Sequence, residues 1–349
     1  MLQRFAQNPI LTPGDVKPSH PDMVVECLLN PGAFRFDGRT GLLLRVAERP
    51  VQEPGWLSTP ILDPDAAGGV RILRVRQDDP ALTAAAARSF VYKGISYLTT
   101  LSHLRLAWSL DGVRFQTEER PTLLGAGALE AFGIEDCRVE WVDGRYWLTY
   151  TAVSTCGVGV GLISTADWRT FDRHGMIFPP HNKDCALFPE KVDGAYWAFH
   201  RPSGLGLGGN FIWISRSPDL LHWGGHRCLA RTRPGLWDGA RVGAGAAPIR
   251  TPQGWLAIYH GADTHDCYCL GALLLDLHDP TRVLARSAKP LMQPQEPYEL
   301  KGFVGNVVFT NGQIVDGDRI TLYYGASDTV ICGATLSLAG ILAGLHADV

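Results

Sequence analysis

The feature that most constrains the fold of this chain is a hairpin pattern that recurs along almost its whole length. In each copy a glycine-containing turn is followed by an aromatic and aliphatic run and then a polar end, as in "WVDGRYWLTYTA" and "KVDGAYWAFHRP". Asp-Gly turns favour antiparallel hairpins, because glycine reaches positive φ without steric cost. The turn glycines, separated by 56, 50, 50, 60 and 63 residues, are Gly38, Gly94, Gly144, Gly194, Gly254 and Gly317.

This spacing predicts an all-β fold of the β-propeller type, because one four-stranded blade with its loops has a similar length. Six hairpins are compatible with six blades. They are equally compatible with five blades, if the first and last hairpins share a blade and close the ring without a free edge. The best helix candidate is a short C-terminal segment, "LSLAGILAGLHADV".

Composition narrows the functional classes. A formal net charge of −3 gives no general attraction to nucleic acid or to an anionic membrane. No apolar stretch approaches the roughly 20 residues of a membrane span, and the N-terminus does not resemble a signal peptide. The eight cysteines are scattered, and Cys267 with Cys269 is weak evidence for zinc. We therefore expect free thiols, a cytoplasmic protein, and neither metal nor cofactor.

A site is predicted where the repeated strands end. Six or seven residues after the turn glycines lie polar side chains that belong to different hairpins. Equivalent strand ends of a propeller converge around its axis, so we expect these groups to meet in one cavity. They are Arg45, Tyr150, His200, Arg201, His260, Tyr323 and Tyr324.

An acid pair precedes the Gly144 hairpin, in "FGIEDCRVEWVDG". Because strand residues alternate between faces, one of Glu135 and Asp136 is expected to face the channel and the other to face away. An enclosed carboxyl group can have a raised pKa and act as a general acid. The alternative is a surface acid pair that forms a salt bridge with Arg138.

The basic residues near these strand ends suit an anion. Guanidinium groups bind phosphate through forked hydrogen bonds, and ammonium groups bind it as point charges. The glycine-rich "VGAGAAP" is not a nucleotide-binding loop, because it does not match the P-loop pattern. The candidate residues are Lys183, Arg201, Arg241 and His260, with Arg45 further away in the sequence as a possible substrate ligand.

Several motifs in order resemble glycoside hydrolase family 130, the β-mannoside phosphorylases and β-mannosidases. They include "NPILTP", "GIEDCR", "NKDCALFPEK", "RVGAGAAPIRTPQGWLAIYHGAD", "GFVGNVVFTNG" and "LYYGASD" and span nearly the whole chain. The resemblance implies a five-bladed propeller formed by residues 1–349 as one catalytic domain, with the N- and C-terminal strands closing one blade.

The resemblance also implies roles for individual residues. The acid of the family's E-D-P-R motif falls on Asp136, with Cys137 in place of the proline. We expect this replacement to alter the local turn slightly and to keep the acid. The phosphate-binding positions fall on Lys183, Arg201, Arg241 and His260, and the sugar contacts on Asp184, Tyr268, Asn306 and Asp328.

Phosphorolysis is favoured over hydrolysis. Inverting hydrolysis needs a second carboxylate that activates water, whereas phosphate is its own nucleophile and needs cations. No glutamate occurs between Glu190 and Glu296, the stretch that supplies three of the basic residues. We expect phosphate to cleave terminal β-mannosides and to give α-mannose 1-phosphate, with inorganic phosphate as co-substrate. The reaction is expected to be reversible, so it could run toward synthesis.

Three alternatives stay open. The linkage motifs look most like members that act on β-1,2-linked mannose, but a β-1,4-mannoside phosphorylase and a β-mannosidase are neighbouring possibilities. A carbohydrate-binding propeller without catalysis would keep the cations and would not need Asp136. Expected partners are a manno-oligosaccharide and phosphate, with no nucleic acid or membrane and with a possible homo-oligomer.

Overall fold

The structure is a computed structural model, which describes residues 2–66, 69–86, 88–204 and 209–345. Within these residues almost all of the regular secondary structure is β-strand. The strands of the first half are β1 (Gln3–Arg4), β2 (Met23–Phe36), β3 (Arg39–Pro50), β4 (Trp56–Leu62), β5 (Val70–Arg76), β6 (Leu82–Ala85), β7 (Ser89–Tyr92), β8 (Ile95–Leu98), β9 (Leu101–Ser109), β10 (Gln116–Thr117), β11 (Ile134–Val142), β12 (Arg145–Ser154), β13 (Gly157–Thr165) and β14 (Asp172–Phe178).

The second half continues in the same way. Its strands are β15 (Asn182–Leu187), β16 (Tyr196–Pro202), β17 (Ile212–Ser217), β18 (Gly224–Ala230), β19 (Arg241–Ala244), β20 (Ile249–Thr251), β21 (Gly254–Ala262), β22 (Tyr268–Leu275), β23 (Val283–Arg286), β24 (Val308–Asp316), β25 (Arg319–Ala326) and β26 (Val330–Ser337). Two short helices accompany them, α1 (Pro297–Leu300) and α2 (Leu338–Gly344). Helix α2 lies within the predicted C-terminal segment, of which residues 346–349 are outside the described part.

Five antiparallel sheets follow one another along the chain. Their orders are β10-β9-β3-β2, β11-β12-β13-β14, β15-β16-β17-β18, β19-β21-β22-β23 with β20 beside β21, and β1-β26-β25-β24. The last sheet joins the two ends of the described chain, because β1 pairs with β26. Edge strands of different sheets lie next to one another. Strand β24 packs against β2, β2 against β11, β11 against β15, and β15 against β19.

Five of the six predicted hairpins belong to these sheets. The sixth does not: the Gly94 turn joins β7 to β8 in a separate three-stranded sheet with β6. This sheet and the β4-β5 pair are inserted between β3 and β9 of the first large sheet. The Gly94 turn has the same local chemistry as the others, so its different long-range pairing leaves no sign in the hairpin pattern.

Apolar packing between neighbouring sheets forms the core. Phe188 after β15 and Trp255 of β21 belong to adjacent sheets and meet edge-on with ring centroids 5.2 Å apart. Each is almost completely buried, and burying one such side chain contributes about 1.5–3 kcal/mol. Among the described residues, no helix has the length and apolar character needed to cross a membrane.

Candidate active site

A cavity of about 200 Å³ opens where the neighbouring edge strands of the sheets approach one another. Strands β2, β3, β11, β15 and β22 all contribute to it. Its polar lining consists of Asn30, Arg45, Arg88, Thr100, Glu135, Asp136, Lys183, Asp184, Arg201, Tyr268 and Asp328. Several of the predicted site residues, far apart in the sequence, are therefore brought together.

β-Bulges aim three of these side chains into the cavity. The register shifts next to Asn30 on β2, at Asp136 on β11 and at Asp184 on β15. All three residues have positive φ, of 37°, 49° and 52° respectively. Asn and Asp tolerate this conformation better than other non-glycine residues, and a bulge redirects a side chain out of the strand's alternation. Asn and Asp inside otherwise apolar strands were the available sequence signal.

Both acids of the predicted pair line the cavity. The expectation that one of them faces away is wrong, because the bulge between Glu135 and Arg138 interrupts the alternation of the strand. Arg45 holds both: its Nη2 donates to Glu135 Oε1 at 2.7 Å, and its Nη1 donates to Asp136 Oδ1 at 3.1 Å. Asn30 Nδ2 also donates to Asp136 Oδ1, at 3.0 Å.

These contacts keep Asp136 ionised in the substrate-free protein. Burial of the carboxyl raises its pKa, but the positive charges of Arg45 and Arg138 and the hydrogen bonds outweigh burial, so that the pKa of Asp136 is lowered. A raised pKa was expected from enclosure alone. The difference arises because the cavity wall that encloses the acid is itself cationic.

Asp184 is the most strongly held carboxylate of the site. Arg138 Nη2 donates to Oδ1 at 3.2 Å, and Arg201 Nε forms an ion pair with Oδ2 at 3.1 Å. His260 Nε2 lies 3.3 Å from the same Oδ2. Burial raises the pKa of Asp184, but Arg201, His260 and Arg138 outweigh burial and hold it well below its usual range.

His260 is close to the site without lining the cavity. Its side chain is completely buried and also contacts Arg201 Nη1 at 3.3 Å. Burial lowers the pKa of His260 to about 4, although Asp184 opposes that shift. The imidazole is therefore neutral near pH 7, and its Nε2 lies within 3.3 Å of both Asp184 Oδ2 and Arg201 Nη1.

Lys183 and Arg201 are the predicted phosphate ligands that line the cavity. They are cross-strand partners on β15 and β16. Arg201 is engaged with Asp184, whereas the Lys183 side chain makes no ion pair with any residue that the structure describes. Lys183 is therefore a cation in the cavity available for an incoming anion.

Arg241 and Asn306 lie outside the cavity lining, while Tyr268 belongs to it. Arg241 Nη1 donates to the Tyr268 hydroxyl at 2.8 Å, and Nη2 pairs with Asp266 at 2.7 Å. Asn306 is exposed, and its carbonyl accepts the Tyr268 amide at 2.9 Å. Arg241 and Asn306 therefore do not line the cavity themselves, but each forms a hydrogen bond with Tyr268, which does.

Arg88 is a site residue that the sequence did not indicate. It precedes β7 in the inserted three-stranded sheet, lines the cavity, and forms an ion pair with Asp328 in the turn after β25. The Asp328 side chain is 7% exposed, whereas that of Arg88 is 48% exposed and lies at the opening. The pairing of Arg88 with Asp328 depends on where the inserted three-stranded sheet lies, and the hairpin pattern in the sequence does not indicate that position.

Four of the polar strand ends expected in the cavity point elsewhere. Tyr150 donates to Glu130, Tyr323 to the Gly112 carbonyl and Tyr324 to Glu299. His200 contacts Asn182 on the opposite face of its strand from Arg201. In the described ranges, no group of three or more His, Cys, Asp or Glu side chains could hold a metal ion.

The chain is similar to a known family and to several characterised proteins. The family model Glyco_hydro_130, described as beta-1,4-mannooligosaccharide phosphorylase, matches residues 86–346. A beta-1,2-mannobiose phosphorylase of Listeria innocua is 41% identical over 355 aligned residues, which cover 99% of this chain and 99% of the relative. A 1,2-beta-oligomannan phosphorylase of Thermoanaerobacter sp. is 38% identical, covering 69% of this chain and 80% of the relative.

The fold is also similar to a solved structure. The Listeria innocua beta-1,2-mannobiose phosphorylase, in complex with beta-1,2-mannobiose, superimposes with a TM-score of 0.95 at 42% identity. The match covers 99% of both chains.

Proposed function

The chain belongs to glycoside hydrolase family 130, and we propose that it is an inverting phosphorylase that cleaves terminal β-1,2-linked mannosides with inorganic phosphate. The observation that carries the proposal is one cavity in which Asp136 lies with Lys183, a cation that is unpaired among the described residues, and Arg201. The names of the Listeria innocua and Thermoanaerobacter relatives described above support the β-1,2 linkage.

The state of the carboxylates supports phosphorolysis over hydrolysis. Inverting hydrolysis needs a carboxylate free to activate water, at a distance from the acid. In the described part of the cavity each carboxylate is engaged by arginine: Arg45 holds Glu135 and Asp136, Arg138 and Arg201 hold Asp184, and Arg88 holds Asp328. None of them is left as a base for water, whereas phosphate needs no base.

In the proposed mechanism, Lys183 and Arg201 hold the phosphate beside the anomeric carbon of the terminal mannose. A phosphate oxygen forms the new C1–O bond while the glycosidic C1–O bond breaks on the opposite face. Asp136, protonated once phosphate is bound, supplies the proton to the departing oxygen, directly or through a sugar hydroxyl, and the proton that the attacking phosphate loses restores the acid. Inversion converts the β-linkage into α-mannose 1-phosphate, and the bonds formed and broken balance without a cofactor.

Bound phosphate would also raise the pKa of Asp136, the proposed acid. Its negative charge enters a cavity in which arginine charges lower the pKa of Asp136. A nearby anion offsets those charges and disfavours the ionised carboxylate, which raises the pKa toward a value suited to proton donation. Cleavage is thereby coupled to the presence of the nucleophile.

The remaining predicted residues receive supporting roles. We propose that Arg45, Asp184, Tyr268 and Asp328 bind sugar hydroxyls. Arg241 and Asn306 would act on substrate through Tyr268, and His260 would act on phosphate by orienting Arg201. These assignments rest on the contacts of each side chain and on its position relative to the cavity.

Incubation of β-1,2- and β-1,4-mannobiose with and without phosphate tests the function. We expect phosphate-dependent release of mannose 1-phosphate from the β-1,2 substrate. In the reverse direction we expect synthesis from mannose 1-phosphate and mannose.

Asp136→Asn should lower turnover by a factor of about 10²–10⁴, the usual contribution of a general acid. Equal cleavage without phosphate would establish a hydrolase, preference for the β-1,4 substrate would change the linkage, and sugar binding without any product would establish a binding protein.

We further propose that the five large sheets are the blades of one five-bladed propeller formed by residues 1–349. Three observations support this arrangement: the sheets follow one another along the chain, their edge strands are neighbours, and β1 pairs with β26. The cysteines have free thiols, which supports a reducing, cytoplasmic location.

A further inference from the structure

A second cavity, of about 530 Å³, lies along the same strands as the active site. On β2 the active-site cavity is lined up to Asn30, and the second cavity begins at Ala33. On β11 the corresponding residues are Asp136 and Val139. With a rise of about 3.3 Å per residue in a regular strand, the two cavities are separated by at most roughly 10 Å along these bulged strands. The strands therefore connect two openings, of which only one contains the residues proposed for catalysis.

Aromatic rings form one wall of the second cavity. Trp141 and Tyr146 meet with ring centroids 4.6 Å apart, and Phe34 lies in the same lining. Trp141 is 48% exposed, an unusual state for a tryptophan in a folded protein. An exposed indole face beside a cavity provides an apolar surface on which the CH face of a flat ring can stack.

Two amide side chains of the lining, Asn311 and Gln313, present acceptors while their donor groups are already used. Asn311 Nδ2 donates to the Asn30 carbonyl, and Gln313 Nε2 donates to the Ala247 carbonyl. The side-chain oxygens of Asn311 and Gln313 have no hydrogen-bond partner among the residues described, although Asn311 is only 1% exposed. A buried acceptor without a donor costs about 1–3 kcal/mol, so a ligand that donates hydrogen bonds would be stabilised here.

Among the described residues, the two cations that line this cavity are already paired with carboxylates, which favours a neutral ligand over an anion. Arg35 is paired with Asp316 at 3.1 Å, and Arg250 with Glu190 at 2.8 Å. Glu140, in contrast, is paired with no cation in the part of the chain that the structure describes. Burial raises the pKa of Glu140 to about 7, so near neutral pH this carboxyl can both accept and donate hydrogen bonds to a neutral ligand.

We propose that this second cavity binds a neutral hexopyranose unit, either free mannose or the terminal mannose of a mannoside. The sugar ring would stack on Trp141 while its hydroxyl groups donate to Glu140, Asn311 and Gln313. This is a binding site additional to the phosphorolytic site. It holds no cation free for phosphate and takes no part in the bond cleavage.

Fluorine NMR of protein containing 5-fluorotryptophan tests the proposal directly. None of the ten tryptophans, all of them among the described residues, lines the active-site cavity, and Trp141→Phe identifies the Trp141 resonance. Without phosphate to permit turnover, mannose and β-1,2-mannobiose should shift this resonance saturably, and inorganic phosphate alone should not. A shift with mannobiose but not with mannose would assign the site to the end of a chain.

Variants distinguish this site from the active site. Glu140→Gln and Gln313→Ala should each weaken the Trp141 response about tenfold, while Glu53→Gln, a change at an exposed glutamate in another part of the surface, should not. Trp141→Ala should leave turnover at the active site within about twofold and Tm unchanged. A Trp141 resonance that is unmoved at about 50 mM sugar, above the range of weak millimolar sites, would overturn the proposal. So would a shift that follows protein concentration instead of sugar concentration. Neither result depends on whether the active site performs phosphorolysis.

Discussion

The guanidinium group of Arg45 binds two adjacent carboxylates, with Nη1 3.1 Å from Asp136 Oδ1 and Nη2 2.7 Å from Glu135 Oε1. A single cation therefore compensates the acid proposed for catalysis and its neighbour. Burial raises the pKa of Asp136, but Arg45, together with Arg138 and the hydrogen bonds to the carboxylate, outweighs burial and lowers this pKa in the substrate-free protein.

Replacement of Arg45 should raise the pKa of Asp136. In Arg45→Gln the desolvation of the buried carboxyl remains while its nearest positive charge is lost, so the pKa moves upward. Titration of carbon-13-labelled aspartate carboxyls by NMR, with Asp136→Asn to identify the resonance, measures the change. Arg49→Gln, on the same strand but paired with Glu26, is the control. An Asp136 pKa that is the same in Arg45→Gln and in the parent protein would show that Arg45 does not control it.

Lys183→Ala should weaken phosphate binding with little loss of stability. Its side chain forms no ion pair with a described residue, so its removal leaves no buried charge uncompensated. We expect the KM for phosphate to rise about tenfold or more, since a charge-assisted contact contributes roughly 1.5–3 kcal/mol, while the KM for mannobiose changes far less. Steady-state kinetics at varied phosphate measures this, with the exposed Lys191→Ala as control. An equal rise in both KM values would contradict a phosphate role.

Gly243→Ala should disturb the support of Asp184. A Cβ at Gly243 of β19 would overlap Asp184 Oδ2 and the His260 ring, so the carboxylate and its partners would have to move. We expect turnover to fall at least tenfold, because misplaced binding groups lose their alignment. Gly224→Ala, where an added Cβ meets no atom within 4 Å, should keep nearly full activity. Similar rates for the two variants would show that this close approach is unimportant.

Stability should fall as the pH decreases from about 6.5 to 4. Burial lowers the pKa of His260 to about 4 and that of His200 to about 3, from an ordinary value of 6.5. In this interval the unfolded chain binds protons that the folded protein excludes, which costs about 1.4 kcal/mol per pH unit for each histidine. Thermal unfolding at several pH values measures the slope. His200→Gln should reduce it and the exposed His278→Gln should not; a Tm that is constant from pH 6.5 to 4.5 would contradict the prediction.

Arg4→Ala should loosen the sheet that joins the two ends of the described chain. Arg4 Nε and Nη2 donate to the two oxygens of Glu299 at 2.7 and 2.9 Å, and the Glu299 side chain is fully buried. Loss of one partner of a buried pair leaves an uncompensated charge and costs about 3 kcal/mol. Urea unfolding should show this loss in Arg4→Ala and almost none in Arg319→Ala, whose pair with Asp316 is exposed. Equal stability of the two variants would contradict a closing role for Arg4.

Local sequence was sufficient for the parts of the fold that depend on turn chemistry. The Gly144 and Gly317 turns join neighbouring strands of large sheets as predicted, because Asp-Gly determines a hairpin within a few residues. The Gly94 turn is chemically similar and lies in the insertion. Its sheet is chosen by contacts between distant residues, which a hairpin pattern cannot specify.

The candidate site shows the same limit at the level of side chains. Asp136 and Arg201 line the cavity as expected, but Tyr150 and His200 do not, because neighbouring strand residues alternate between faces and the hairpin pattern does not tell which face meets the cavity. Arg88 was not found because its ion pair with Asp328 spans 240 positions. Opposite charges so far apart in a sequence have too many possible partners for the pair to be chosen without coordinates.

The pairing of β1 with β26 has a consequence for how the protein is made. The two residues of β1 leave the ribosome before the other described strands and can pair with β26 only after it has been synthesised, more than 300 residues later. Sheets composed of neighbouring segments can form during synthesis, since domains and their parts fold as the chain emerges. The sheet that contains β1 must instead wait until β26 has been synthesised, with its partner positions unoccupied, and this long-range closure is a natural candidate for the slow step of folding.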